Sequence, residues 1–114
     1  MPPSSSRPSP PPAPDTTPTM FEAIVKRVAV AATYNRGEVT LAPHVIYTRH
    51  DELYVDAVTI ERDGKPPREE KLGTFKLAGL SPLRLTARRF ERSALFDEGD
   101  AKYAGVLLMA VEPA

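Results

Sequence analysis

Residues 32–80 read ATYNRGEVTLAPHVIYTRHDELYVDAVTIERDGKPPREEKLGTFKLAGL, and the fold is decided here. An apolar run ends in Tyr34, and Asn35-Arg36-Gly37 supplies residues that tolerate positive φ and a tight reversal. From Glu38 to Thr48 the chain alternates, with Val39, Leu41, Pro43, Val45 and Tyr47 on one side, which is the period of a strand. Pro43 cannot donate to a ladder, so this strand bends or lies at an edge near that residue. Arg49-His50-Asp51-Glu52 is a polar turn, and Leu53 to Glu61 is a third strand rich in β-branched residues. Asp63-Gly64 opens a charged excursion to Lys71, a solvated loop whose mixed charges argue against a dedicated phosphate clamp. Gly73 to Leu80 and Leu83 to Ala87, broken at Ser81-Pro82, are two short strands or one kinked strand. Short strands separated by turns are the mark of a small β-barrel or sandwich.

Upstream, Val28, Val30, Ala32 and Tyr34 share one face of a first strand. Phe21, Ile24, Val25 and Val28 have the spacing of a helical face, which predicts a short helix to about Arg27. Residues 1–19, with eight prolines plus Ser and Thr, cannot bury apolar surface and read as a disordered Pro-rich arm. Pro8-Ser9-Pro10-Pro11 matches a polyproline-ligand pattern, although a plain spacer has the same composition. The composition changes abruptly at Met20, which also reads as a candidate natural start.

Lys plus Arg equals Asp plus Glu at 15 each, so no whole-molecule field draws the chain to nucleic acid or an anionic membrane. Any such binding must come from a local patch. The absence of cysteine excludes disulfides and thiolate chemistry, and no apolar run approaches the roughly 20 residues of a membrane span. A cytoplasmic location and no membrane partner are the expectation. His44 and His50 with Asp51 and Glu52 are metal-ligating types, but His44 lies in a strand and the others in a turn. No metal and no cofactor are expected. No serine-histidine set or glycine-rich phosphate loop occurs, so the chain is read as non-enzymatic, with no catalytic residues.

Downstream, Arg88-Arg89-Phe90-Glu91-Arg92 is the densest basic stretch. Arg88, Arg89, Phe90 and Arg92 form a candidate nucleic-acid patch, and a solvated connector is the other reading. Asp100 can cap a helix carrying Tyr103, Val106, Leu107 and Ala110, yet 106–111 is equally a buried strand. Either way this apolar run must be covered, by the rest of the chain or by a second copy.

Tyr34, Pro43-His44-Val45-Ile46, Leu53-Tyr54-Val55 and Phe75-Lys76-Leu77-Ala78-Gly79-Leu80 occur in an order that resembles the WYL domain of bacterial regulators. The resemblance spans Val28 to Thr86, and of the naming Trp-Tyr-Leu triplet only Tyr54 is identical. It implies a mainly β fold, a small Sm-like five-stranded barrel. The chain is then divided into a barrel domain over residues 20–88, which includes the short N-terminal helix, and residues 89–114, a C-terminal extension, helix or strand, that packs on the barrel. It also implies a ligand-sensing module of transcription regulation, here stand-alone and without a helix-turn-helix, whose ligand is single-stranded nucleic acid or a nucleotide. Family members commonly carry arginines where this chain has Gly73 and Gly79. The expected ligand-binding residues are therefore Tyr34, Arg36, Arg49, Tyr54 and Lys76, with His50 and Lys71 as further basic candidates. The tyrosines read equally well as core aromatics with a wet hydroxyl. The alternative function is a protein-interaction or self-assembly module, a homo-oligomer using the C-terminal apolar run.

Overall fold

A computed structural model describes residues 16–80 and 82–112. It is mainly β: helix α1 (Thr16–Lys26) is followed by strands β1 (Val28–Tyr34), β2 (Gly37–Arg49), β3 (Glu52–Arg62), β4 (Leu72–Lys76), β5 (Leu83–Arg89) and β6 (Leu107–Ala110). All pairings are antiparallel. The sheet runs β4-β3-β2-β1-β5, and β6 pairs with β2 beyond the point where β1 leaves it.

The helix starts earlier than its apolar spacing predicts. Thr16–Thr19, expected in the arm, is helical, while residues 1–15, including the Pro8–Pro11 pattern, lie outside the described residues. Pro18 is tolerated because a first-turn N–H has no intrahelical partner to lose. With the start moved back, the face that enters the core is Met20, Ala23 and Ile24, and Val25 is left 65% exposed. Arg27 takes a left-handed φ of 55° and turns the chain into β1.

Three hairpin turns have both central residues at positive φ: Asn35-Arg36, His50-Asp51 and Asp63-Gly64. That is the mirror-image turn whose twist matches the flanking strands. It pairs Tyr34 with Gly37, Arg49 with Glu52 and Arg62 with Lys65. Pro43 sits where the β2–β3 register shifts and where β2 exchanges β1 for β6 as its neighbour, so the missing N–H falls at a bend.

The sheet is open along its hydrogen-bonded path, but it curls. Tyr34 on β1 packs edge-on against Phe75 on β4 with centroids 5.2 Å apart. In a flat sheet β1 and β4 would be separated by three strand spacings, ~14 Å. Inside the curl, Met20, Ile24, Val30, Leu41, Val55, Phe75 and Leu80 form the core.

The residues 41–47 of β2 are all buried, so both faces of this strand are covered. The second cover is the C-terminal segment. Asp100 caps a 3₁₀ turn (Ala101–Tyr103) by accepting from the Lys102 amide, and β6 then follows as a strand. Thus Asp100 caps as expected, but the apolar run resolves to strand, because β2 offers an unpaired edge past Pro43. The run's own chain buries Val111 and half-buries Val106, Leu107, Met109 and Ala110, and Leu108 is left 48% exposed. Among the described residues no helix is long and apolar enough to cross a membrane.

Candidate functional site

Asp56, at the centre of β3, is buried and, among the described residues, accepts four side-chain hydrogen bonds. Its Oδ1 accepts from Tyr47 Oη and Thr74 Oγ1, each at 2.8 Å, and its Oδ2 accepts from Lys102 Nζ at 2.8 Å and Tyr103 Oη at 2.5 Å. Strand register explains half of this, since Asp56 faces Thr74 across β3–β4 and lies two pairs along the β2–β3 ladder from Tyr47, on the same face. The 3₁₀ turn delivers the other two donors, and the Lys102 ammonium sits 5.4 and 5.3 Å from the Tyr47 and Tyr103 ring centroids.

Burial alone would raise the Asp56 carboxyl, but the bonds from Lys102, Tyr103, Tyr47 and Thr74 outweigh it and hold the group below its ordinary range. Burial and the same carboxylate push both tyrosine hydroxyls up. An ionised carboxylate with four donors has no lone pair left for general-base work, and a tyrosine held in its neutral form is a poor acid at neutral pH. The cluster is an anchor.

The second buried polar residue of the sheet is His44. Its ring lies against Phe90 and Phe96, and Phe96 leads on to Tyr103 and so to Tyr47, an aromatic row between sheet and C-terminal segment. Among the described residues no group of three His, Cys, Asp or Glu is placed to hold a metal ion.

The expected ligand-binding residues do not converge. Tyr54 stands opposite Lys76 and Tyr47, whereas the adjacent Val55 stands opposite Phe75, so Tyr54 and Phe75 point to opposite faces of the sheet. Tyr34, in contact with Phe75, therefore lies on the face away from Tyr54, which stacks on Tyr47. Arg36 and Arg49 flank opposite ends of the 13-residue β2 and are exposed, as is His50 beside Arg49. Lys76 is bound to Glu52 at 3.0 Å, in a cleft of about 280 Å³ that also carries Asp51. Gly79, at an expected arginine position, lies beside Tyr34, and Gly73, at the other, beside Phe75.

The C-terminal basic patch is also divided. Phe90 is half-buried on His44 rather than presented as a stacking surface, Arg92 lies over the Phe96 ring at 5.0 Å, and Arg88 is paired with Glu61 at 3.2 Å. Arg89 remains exposed beside Arg27 in a cleft of about 250 Å³.

A basic concavity does form where the linear charge order gave no sign of one. Past Val58, β4 no longer covers β3, and the loop after the Asp63-Gly64 turn folds back beside the uncovered strand. Arg62, Lys65, Arg68 and Lys71 line the resulting groove of about 420 Å³, together with Thr59, Pro66, Pro67 and one acid, Glu69. Glu69 is 3.7 Å from Lys71, and both are highly exposed, so the pairing is weak. The acids Asp63 and Glu70 do not line it. Asp63 turns away to accept from the Glu38 amide at 3.0 Å.

Comparison with protein-family models, with curated proteins and with solved structures finds no match.

Proposed function

We propose that the chain is a non-enzymatic binding module of the WYL type, a regulatory domain whose ligand is a phosphate-bearing one, single-stranded nucleic acid or a nucleotide. The observation that carries this reading is the groove in which four cations, Arg62, Lys65, Arg68 and Lys71, face one acid. With zero net charge overall, long-range steering contributes little, so affinity comes from this local field. Two prolines limit the loop's freedom, which lowers the entropy lost when a ligand is held. The curl that brings Tyr34 onto Phe75 supports the Sm-like barrel that goes with the family. The ligand region moves from the Tyr34–Tyr54 surface to the open end of β3.

Fluorescence anisotropy of labelled single-stranded DNA and RNA, and competition by free nucleotides, tests the reading across a salt series. Lys65→Glu combined with Arg68→Glu is expected to weaken oligonucleotide binding by tenfold or more. The salt slope should fall by about 0.7 for each phosphate contact removed. Both side chains are exposed, so the melting temperature should hardly move. Equal binding by variant and parent, or no binding by the parent at low salt, overturns the proposal. Lys76→Ala, outside the groove and neutralised by Glu52, should bind like the parent.

A further inference from the structure

The C-terminal segment is fastened across the sheet by two polar anchors of different chemistry. At the first, His44 Nδ1 lies 2.7 Å from the Ala42 carbonyl oxygen, which only accepts, so Nδ1 carries the ring proton. Nε2 then accepts from the Ser93 amide at 2.9 Å. Only the neutral ring satisfies both partners. At the second anchor Asp56 accepts from Lys102 and Tyr103.

We propose that Phe90–Phe96 is an acid-released strap, which leaves the sheet when His44 takes up a second proton while Asp56 still holds the Lys102–Tyr103 turn. Protonation makes Nε2 a donor aimed at the Ser93 N–H, so an anchoring bond becomes a clash of donors. It also places a charge between Phe90 and Phe96, at 5.2 and 5.6 Å. Two charges act on the ring through space: Arg92 from the strap opposes the added proton, and Glu70 from the β3–β4 loop favours it. Burial, opposed by the bond to Ala42 and aided by Arg92, keeps the imidazole below its ordinary 6.5. A depressed histidine stabilises the closed form fully above that ordinary value, and the contribution is lost as pH falls toward the lowered one.

Asp56 is faced by Tyr47 from β2, Thr74 from β4, and Lys102 and Tyr103 from the turn, with Asp100 behind Tyr103. Its carboxyl is held below 3.8, so this anchor lasts to lower pH than the histidine one. Between the two, the strap is free of the sheet from Phe90, whose own amide stays on the Arg27 carbonyl, to Phe96, and is fastened again at Tyr103. Release takes Phe96 out of the aromatic row and uncovers the His44 ring on the sheet. The device needs no ligand, and none of the residues of its two anchors lines the anion groove.

Hydrogen exchange of the full chain, followed by NMR from about pH 7.5 to about pH 5, tests it. After correction for intrinsic rates, opening at the Ser93 and Phe96 amides should increase by up to about tenfold per pH unit, the limit for one coupled proton. The β2–β3 ladder amides should not follow. The His44 ring should titrate with the same midpoint as the Ser93 opening. His44→Gln, which offers an acceptor that does not titrate, should give a flat profile. Ser93 protection that is constant across the range overturns the strap, as does loss of Ser93 and β2–β3 protection in step. If the variant fails to fold, the parent's ring midpoint and amide profile still decide.

Discussion

Asp56→Ala should lower the unfolding free energy by about 3–5 kcal/mol at neutral pH, read as a fall in the urea midpoint. The size follows from which donors can find water once the carboxylate is gone. Lys102, 40% exposed, swings out, and Thr74 lies on an exposed edge, so neither is stranded. Tyr47 and Tyr103 are buried, and each keeps a hydroxyl without an acceptor. A domain with total stability of about 5–15 kcal/mol gives up a large share of it to that loss. Lys102→Met should cost much less, about 1 kcal/mol, because its ammonium is partly solvated and three donors still hold the carboxylate. The pH dependence has a definite sign. Asp56 is depressed in the folded state, so its contribution is present above about 3.8 and is lost as pH falls through the lowered value. Asp56→Asn should remove that acid limb. A cost below about 1 kcal/mol for Asp56→Ala would mean that desolvation of the buried carboxylate cancels its four bonds.

Much of the sheet was legible because its signals are local. The Asn35-Arg36-Gly37 reversal and the polar turn at His50-Asp51 each state their geometry within a few residues. Pro43 likewise announces the bend in β2, since a missing donor must fall where a ladder is interrupted. The anchors were not legible, because they are non-local. Asp56 bonds residues 9 and 47 positions away. The register shift after Pro43 turns Val45 and Tyr47 off the Leu41 face expected of them and onto the Asp56 side, and only the return of the C-terminal segment makes His44 and Tyr47 buried there rather than wet. One signal was there to be used: a carboxylate in the middle of the β-branched run 53–61 has no local reason to be tolerated. The early helix start was hidden by Thr-Pro composition that suits an arm equally well. The expected ligand set is dispersed by strand parity. Tyr34 and Tyr54 were grouped by family order, whereas register sends them to opposite faces. The basic groove was hidden for a related reason: the loop alternates charges along the chain, and folding sorts Arg62, Lys65, Arg68 and Lys71 to one wall.

Phe75→Ala should cost about 3–5 kcal/mol, although β4 is a five-residue strand at one end of the sheet path. An aromatic on the edge of a flat sheet would be half-solvated, and its truncation would cost roughly 1–2 kcal/mol. Curling changes this. Phe75 is 6% exposed, its ring meets Tyr34 from β1, and the Gly73 position opens onto the same ring. Removing the ring leaves a cavity beside Tyr34, and Tyr34 is held by the Asn35-Arg36 turn that follows it. A double-mutant cycle with Tyr34→Ala isolates the contact across the curl. The two substitutions should couple by about 0.5–1.5 kcal/mol, the range for an edge-to-face aromatic pair. Strictly additive losses would mean that β1 and β4 do not meet in solution. The sheet would then be flatter than the Tyr34–Phe75 contact requires, and the barrel-like reading would lose its support.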